Sequence, residues 1–191
     1  MSQTLDTSFA QLQFPFDLPS TTPPKLRDKL HERLRSSNVS VKEFNSQDEA
    51  EAMFNLSRQY AEECDPEAVF DDIAVRVTIG GILNNHTRDY TNCFVVSKYD
   101  VPVGFALVSV LHSMYSADKY GNLDWWYVLP QHRHGLATLA LLMRFEDWAK
   151  DKGADLLFTG SRMNLRHAER TISTLSKLDY RMIGRVLVKE V

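Results

Sequence analysis

Asp124-Trp125-Trp126-Tyr127-Val128-Leu129-Pro130-Gln131-His132-Arg133-His134-Gly135-Leu136-Ala137-Thr138 reads as a strand that stops at a proline, a tight basic turn with one glycine, and the opening of a helix. Pro130 closes the strand because it has no N–H to give the ladder. The first N–H groups of the helix have no partner inside it, and the macrodipole adds roughly half a positive charge there. Arg133 brings a permanent cation, and Gly135 lets a ligand come close to the backbone. A corner of this make-up suits a pyrophosphate. Taken alone it is a weak sign, because many α/β proteins carry such a turn with no ligand.

On the C-terminal side, a long helix is expected from Leu136 to Lys152, with Leu141, Phe145, Trp148 and Ala149 on one apolar stripe and Leu139 and Met143 on a second. Gly153 supplies its stop. Ala154 to Thr159 reads as a buried strand, Arg166 to Lys177 as a helix and Arg185 to Lys189 as a last strand. On the N-terminal side, Cys93–Val96, Val103–Leu111 and Asn122–Leu129 form three strand-like runs, the first two joined by a turn at Tyr99-Asp100-Val101-Pro102. Before them come a strand at Val39–Phe44, a helix at Asp48–Glu63, and a second helical stretch that Asp65-Pro66 opens. That stretch carries Val69, Ile73, Val77 and Ile82. Residues 24–35 form a short basic helix with Leu26, Leu30 and Leu34 on one stripe, expected to pack its leucines and leave its charges in water. Residues 1–23 read as an irregular leader. Meander first and strand–helix–strand last, this is a mixed α+β order and not a doubly wound sheet.

The chain has 191 residues, 43% hydrophobic, 25% charged and 10% aromatic, which fits one globular domain. No run is apolar for long enough to suggest a membrane span, and the first 24 residues lack the basic start and apolar core of a secretory signal. A cytoplasmic location is the expectation. The net charge of −3 argues against nucleic acid as the main partner. Cys64 and Cys93 show no metal or redox spacing, and His132-x-His134 lacks a third ligand, so no metal is expected. Neither a GxGxxG nor a GxxxxGK[ST] motif is present.

The pattern Tyr127-Val128-x-Pro130-x-x-Arg133-x-Gly135, then Leu141-Leu142, Glu146-Asp147-Trp148-Ala149 and Lys152-Gly153-Ala154, resembles motif A of the GNAT superfamily of acyl-CoA N-acyltransferases. Leu175-Ser176-Lys177-Leu178-Asp179-Tyr180 running into Lys189 resembles that family's closing segment. The likeness spans about Val39 to Val191 and is nearest to the GNAT proteins of tailed bacteriophages, which would put the chain in a host cytoplasm. It implies a short N-terminal region (1–37) ahead of an acyltransferase domain (38–191). The fold it implies is a mixed, mainly antiparallel sheet flanked by helices, with splayed strands making the acyl-CoA groove.

By that resemblance, acetyl-CoA is the acyl donor and lies between the Asn122–Leu129 and Ala154–Thr159 strands. Backbone groups of Val128 and Leu129 would hold the thioester oxygen and pantetheine arm, while Arg133, His134, Gly135, Leu136, Ala137 and Thr138 would form the pyrophosphate turn. The register of that turn is open by one residue: the family's Arg/Gln-x-x-Gly-x-Gly/Ala fits either from Arg133, with Leu136 and Thr138 in the glycine places, or from His132, with Gly135 and Ala137. The reaction implied is direct transfer to a primary amine, a protein Lys or N-terminus or a small cationic amine. Such transfer needs a base for the ammonium proton, stabilisation of the oxyanion and departure of a thiolate.

Asp124 is the only acid on its strand and is expected to share a face with Trp126 and Val128, making it the first candidate for the base ahead of His112 and Asn122. An exposed edge acid is the competing reading. Where relatives carry a general-acid Tyr, this chain has Leu175. Tyr115 or Tyr120 could replace it, or the thiolate could leave unaided, since a thiol pKa of about 8.5 makes a fair leaving group. Trp125, Trp126 and Tyr127 could stack on an acceptor, but at least one should be plain core. Residues 43–72 hold ten acids and one base, Arg58, which hints at a cationic acceptor if the acids rim the entrance, or merely at a solvated face. Residues 131–189 hold eleven bases and six acids, which suits CoA. A homodimer is the assembly to test; nucleic acid and membrane are not expected partners. The alternative reading is a catalytically silent scaffold of this family that binds a host or virion partner, and a third is a sensor that binds CoA without transfer.

Overall fold

A computed structural model describes residues 24–64, 69–84, 89–114, 116–133, 135–159, 165–176, 178 and 180. The leader and the expected last strand at Arg185–Lys189 lie outside the described residues.

The strands β1 (Val39–Glu43), β2 (Thr91–Lys98), β3 (Val101–His112), β4 (Lys119–Val128) and β5 (Leu156–Thr159) form one sheet in the order β1-β2-β3-β4-β5. The first three pairings are antiparallel and β4/β5 is parallel, so the mixed, mainly antiparallel sheet flanked by helices is what the chain forms. The β2–β3 hairpin turns on Tyr99 and Asp100, both with positive φ (52° and 60°), the backbone that a tight two-residue turn requires.

Helices α2 (Gln47–Cys64) and α3 (Asp72–Leu83) cover one face; α4 (Leu136–Asp151) covers the other, with α1 (Pro24–Arg35) laid against it. Helix α5 (Leu165–Ser176) follows β5. Alternation along the strands divides the core accordingly. Phe94, Val96, Ala106, Val108 and Leu123 pack under Leu141, Leu142, Phe145 and Trp148 of α4. Cys93, Val95, Phe105 and Tyr127 pack under Met53, Phe54, Ile79 and Ile82 of α2 and α3.

Two expectations need correction here. Helix α3 starts at Asp72, not near Asp65, because the Asp71 carboxylate accepts the N–H groups of Ile73 and Ala74 (both 3.0 Å) and caps the first turn. Its inward residues are Ile79 and Ile82, whereas Val69, Ile73 and Val77 stand exposed. Helix α1 buries Leu30 as expected, but Arg27 is not left in water: its guanidinium pairs with Glu146 and Asp147 of α4.

Candidate functional site

The described pairing between β4 and β5 runs from Tyr120/Leu156 to Leu123/Thr159; β4 continues to Val128, and residues 160–164 lie outside the described residues. Past Leu123, β4 carries a bulge: Leu107 of β3 faces Trp125 and Val108 faces Leu123, leaving Asp124 as the extra residue. The bulge switches which positions face α4. Before it, Gly121 and Leu123 do, Gly121 so closely that a Cβ there would sit 2.6 Å from the Ala149 Cβ. After it, Trp126 and Val128 pack on that side, and Trp125 and Tyr127 on the α2 side.

This corrects the placing of Asp124. Its Oδ1 accepts a hydrogen bond from Nδ2 of Asn122, a residue on the face away from α4, so Asp124 stands with Asn122 and Trp125 and not with Trp126 and Val128. Alternation predicts the wrong side because the extra residue shifts the phase by one. Asp124 is exposed beside the bulge, and the Thr159 hydroxyl of β5 is buried with no hydrogen-bond partner among the described residues.

Beyond Val128 the chain makes a single 3-10 turn at Pro130–His132 and enters α4 through Gly135, its N-cap. Hydrogen bonds settle which amides the turn consumes. Leu129 N–H goes to Val103 C=O (2.9 Å), Gly135 N–H to His132 C=O (3.2 Å), and Arg133 N–H approaches Pro130 C=O at 3.5 Å. Gly135 brings no side chain to cap α4, so the first N–H groups of the helix, on Leu136, Ala137 and Thr138, lie at its open end. Because Leu129 bonds to Val103, the N–H and C=O of Val128 face away from β3, along the edge of β4 on which β5 pairs farther back. His134 lies outside the described residues.

Arg133, expected as a cation at the turn, has partners on two other elements. Its Nε donates to Val128 C=O (2.7 Å), its two terminal nitrogens grip the Glu63 carboxylate of α2, and its guanidinium lies 5.2 Å from the Tyr127 ring. Tyr127 Oη donates to the same carboxylate (3.1 Å). Glu63 is the residue the sequence reading missed; nothing local marked it.

A family model described as the acetyltransferase (GNAT) family matches residues 50–172. The chain belongs to that family. As a GNAT protein it is an acyl-CoA-dependent N-acetyltransferase, with acetyl-CoA as the acyl donor. Among solved structures it is similar to aminoglycoside N-acetyltransferase AAC(6')-Iy in complex with CoA (18% identity, TM-score 0.64, covering 81% of this chain and 95% of that one). It is also similar to a ribosomal-protein-alanine N-acetyltransferase from Brucella melitensis biovar Abortus 2308 (16%, TM-score 0.61, 80% and 99%). An acetyltransferase of Trypanosoma brucei gives 15%, TM-score 0.61, 80% and 99%. At such identities the likeness is one of fold. Among curated proteins, no sequence matches this one.

Among the described residues the donor fits this GNAT corner on three grounds: amides at the start of α4 that the N-cap leaves without a side-chain partner, the buried Thr159 hydroxyl with no partner, and a Gly135 whose missing Cβ would meet only the His132 carbonyl, at 3.5 Å. Leu175, in the place of the family's acid, is buried core, and Tyr120 rests its ring on Phe158 (5.4 Å). Tyr115 lies outside the described residues. Of the aromatic trio, Tyr127 is buried, Trp126 packs on the α4 side, and half-buried Trp125 meets Tyr60 and Phe105 edge-on (5.3 and 5.5 Å). His132 is half-buried and His112 exposed, and the described residues hold no cluster of three metal-ligating side chains.

Much of the acidic run pairs with groups of the same chain, mostly at the surface. Glu43 pairs with Arg144, Glu51 with Arg76, Glu63 with Arg133 and Asp72 with Arg58. Glu49 receives the Asn45 and Ser46 N–H groups, and Asp71 caps α3. Six of the eight described acids therefore have partners within the fold; Asp65 and Glu67 lie outside the described residues.

Proposed function

We propose that this GNAT protein acetylates a primary amine, on a protein Lys or N-terminus or on a small cationic molecule, by direct attack with Asp124 as the proton acceptor. The observation that carries the reading is the corner after β4: past the bulge at Asp124 the strand runs on to Val128 and leads through a single 3-10 turn to α4, whose N-cap Gly135 has no side chain to occupy the first amides.

Bound acetyl-CoA supplies an electrophilic thioester carbon and a thiolate leaving group. Leu136, Ala137 and Thr138 bind the diphosphate through their N–H groups, aided by the helix dipole. Val128 N–H, on the open side of β4, orients the thioester oxygen; Leu129 contributes packing on both core clusters, since its N–H belongs to the sheet. Asp124, at the bulge on the face away from α4, takes the ammonium proton, and the Asn122 amide fixes the direction of its lone pairs. With Leu175 aliphatic, the thiolate leaves without a proton from that position. The bulge supports the reading because it turns Asp124 out of the core, beside Asn122 on the face away from α4. The aminoglycoside and ribosomal-protein acetyltransferases of the same fold support an amine as acceptor. A cytoplasmic reaction, within a bacterial host if the phage resemblance holds, completes the proposal and rests on the sequence.

Adding acetyl-CoA at ~100 times its dissociation constant should stabilise the protein by ~2.7 kcal/mol in a thermal-shift experiment. Thiol release over a panel of aminoglycosides, polyamines and Lys peptides should then show turnover. No shift with any acyl-CoA would remove the groove; a shift without turnover on any amine would favour the silent scaffold or the sensor.

A further inference from the structure

Glu62 and Glu63 occupy the last turn of α2, where the helix has no basic residue. Carboxylates there face the negative end of the dipole, so helix physics does not account for them. For Glu63 the account is tertiary, at Arg133, 70 residues on.

Arg133 touches three elements at once. Its terminal nitrogens hold Glu63 at the end of α2, its Nε holds the Val128 carbonyl at the end of β4, and its own carbonyl accepts the Thr138 hydroxyl (2.8 Å) in the first turn of α4. The fork-to-fork geometry is the strongest an arginine makes with a carboxylate. The guanidinium side chain is only 14% exposed and lies against Tyr127, whose hydroxyl also binds Glu63. The ends of β4 and α4 are the two walls of the donor corner.

We propose that Glu63 is a positioning residue for the acyl donor: by clamping Arg133 it fixes the spacing between Val128 and the amides of Leu136–Thr138. The inference rests on the reading of that corner as the diphosphate site. It gives Arg133 a role in alignment, its charge being matched by Glu63 and not directed at the phosphates. Alignment of this kind matters because a shift of ~1 Å can lower a rate ~100-fold.

The test is CoA binding by calorimetry together with steady-state kinetics on the full chain. Glu63→Gln should weaken CoA binding ~10-fold and raise the KM for acetyl-CoA in parallel, with the KM for the amine within about twofold. Arg133→Met should do the same, and the double variant should be no worse than either, since both residues act through one strut. Glu63→Asp, which keeps the charge on a shorter arm, should recover part of the loss and serves if Glu63→Gln does not fold. CoA affinity within twofold of wild type in folded Glu63→Gln would overturn the inference. So would tighter binding, which would mean that Glu63 holds Arg133 away from the phosphates, or additive losses in the double variant. Wild-type protein that binds no CoA would remove the donor corner itself; wild-type binding with unaltered variants would remove only the strut.

Discussion

Asp124 owes its place to backbone pairing, and its chemistry can be tested without disturbing the fold. Asp124→Asn keeps the size and a hydrogen-bonding oxygen for Asn122 but no longer accepts a proton at neutral pH. We expect kcat to fall ~100-fold or more with CoA affinity unchanged, the usual range for a lost general base. A variant within threefold of wild type would show that solvent or another group takes the proton. Cys93 offers a second test at the same scale. Fully buried, and with Glu49 nearby, its thiol has its pKa pushed far up, burial being the larger cause. A raised pKa means that the folded protein keeps a proton which the unfolded chain gives up above ~8.5. That stabilising contribution is complete below pH ~8.5 and is lost as pH rises, at about 1.4 kcal/mol per unit. Between pH 9 and 10, unfolding free energy should therefore decline less steeply in Cys93→Ala than in wild type. Equal slopes in urea titrations would contradict the burial of the thiol.

Helix α4 and strand β4 together set the donor corner, and their closest approach is at Gly121. A Cβ there would lie 2.6 Å from that of Ala149 and 3.0 Å from Leu157 Cδ2, and the first of these neighbours sits close to the helix backbone. Gly121→Ala should push α4 off the sheet, costing about 1–3 kcal/mol, and should raise the KM for acetyl-CoA because the amides of Leu136–Thr138 move with the helix. Pairing it with Ala149→Gly should restore much of the packing; a single variant as stable as wild type would mean that the helix yields freely. At this scale the sequence was read well where periodicity is local. The bounds of α1, α2 and α4 follow from their apolar stripes and the Gly153 stop, and the strand–Pro130–turn–helix order is legible residue by residue. What was not legible depended on distant partners. The bulge exists because of how β3 pairs with β4, so no count along β4 reveals that Asp124 changes sides. The start of α3 was hidden because Val69, Ile73 and Val77 keep a helical spacing while facing water. The ion pair of Arg133 was not legible because its partner, Glu63, lies 70 positions earlier.

Across the whole molecule, α1 is joined to the domain by a partly buried polar knot. Arg27 reaches Glu146 (3.3 Å) and Asp147 on α4, and Glu146, only 4% exposed, also accepts the Tyr180 hydroxyl (3.2 Å). The knot ties the chain before β1 to the segment after α5 through the central helix. It also raises the pKa of Tyr180, through burial first and the Glu146 charge second, so the phenol stays protonated while the fold lasts. Removing one member is expected to hurt more than removing the pair, because a lone carboxylate in that position keeps its desolvation penalty and loses its counter-charge. Arg27→Met should lower the unfolding free energy by about 3 kcal/mol, and Arg27→Met with Glu146→Met should regain most of it. Urea unfolding of the two variants decides the matter. If the single variant is as stable as wild type, α1 is held by Leu30 and its neighbours alone, and the region before β1 is an appendage; if the double variant is no better than the single, the ion pair is net stabilising and α1 is part of the domain in energy as well as in position.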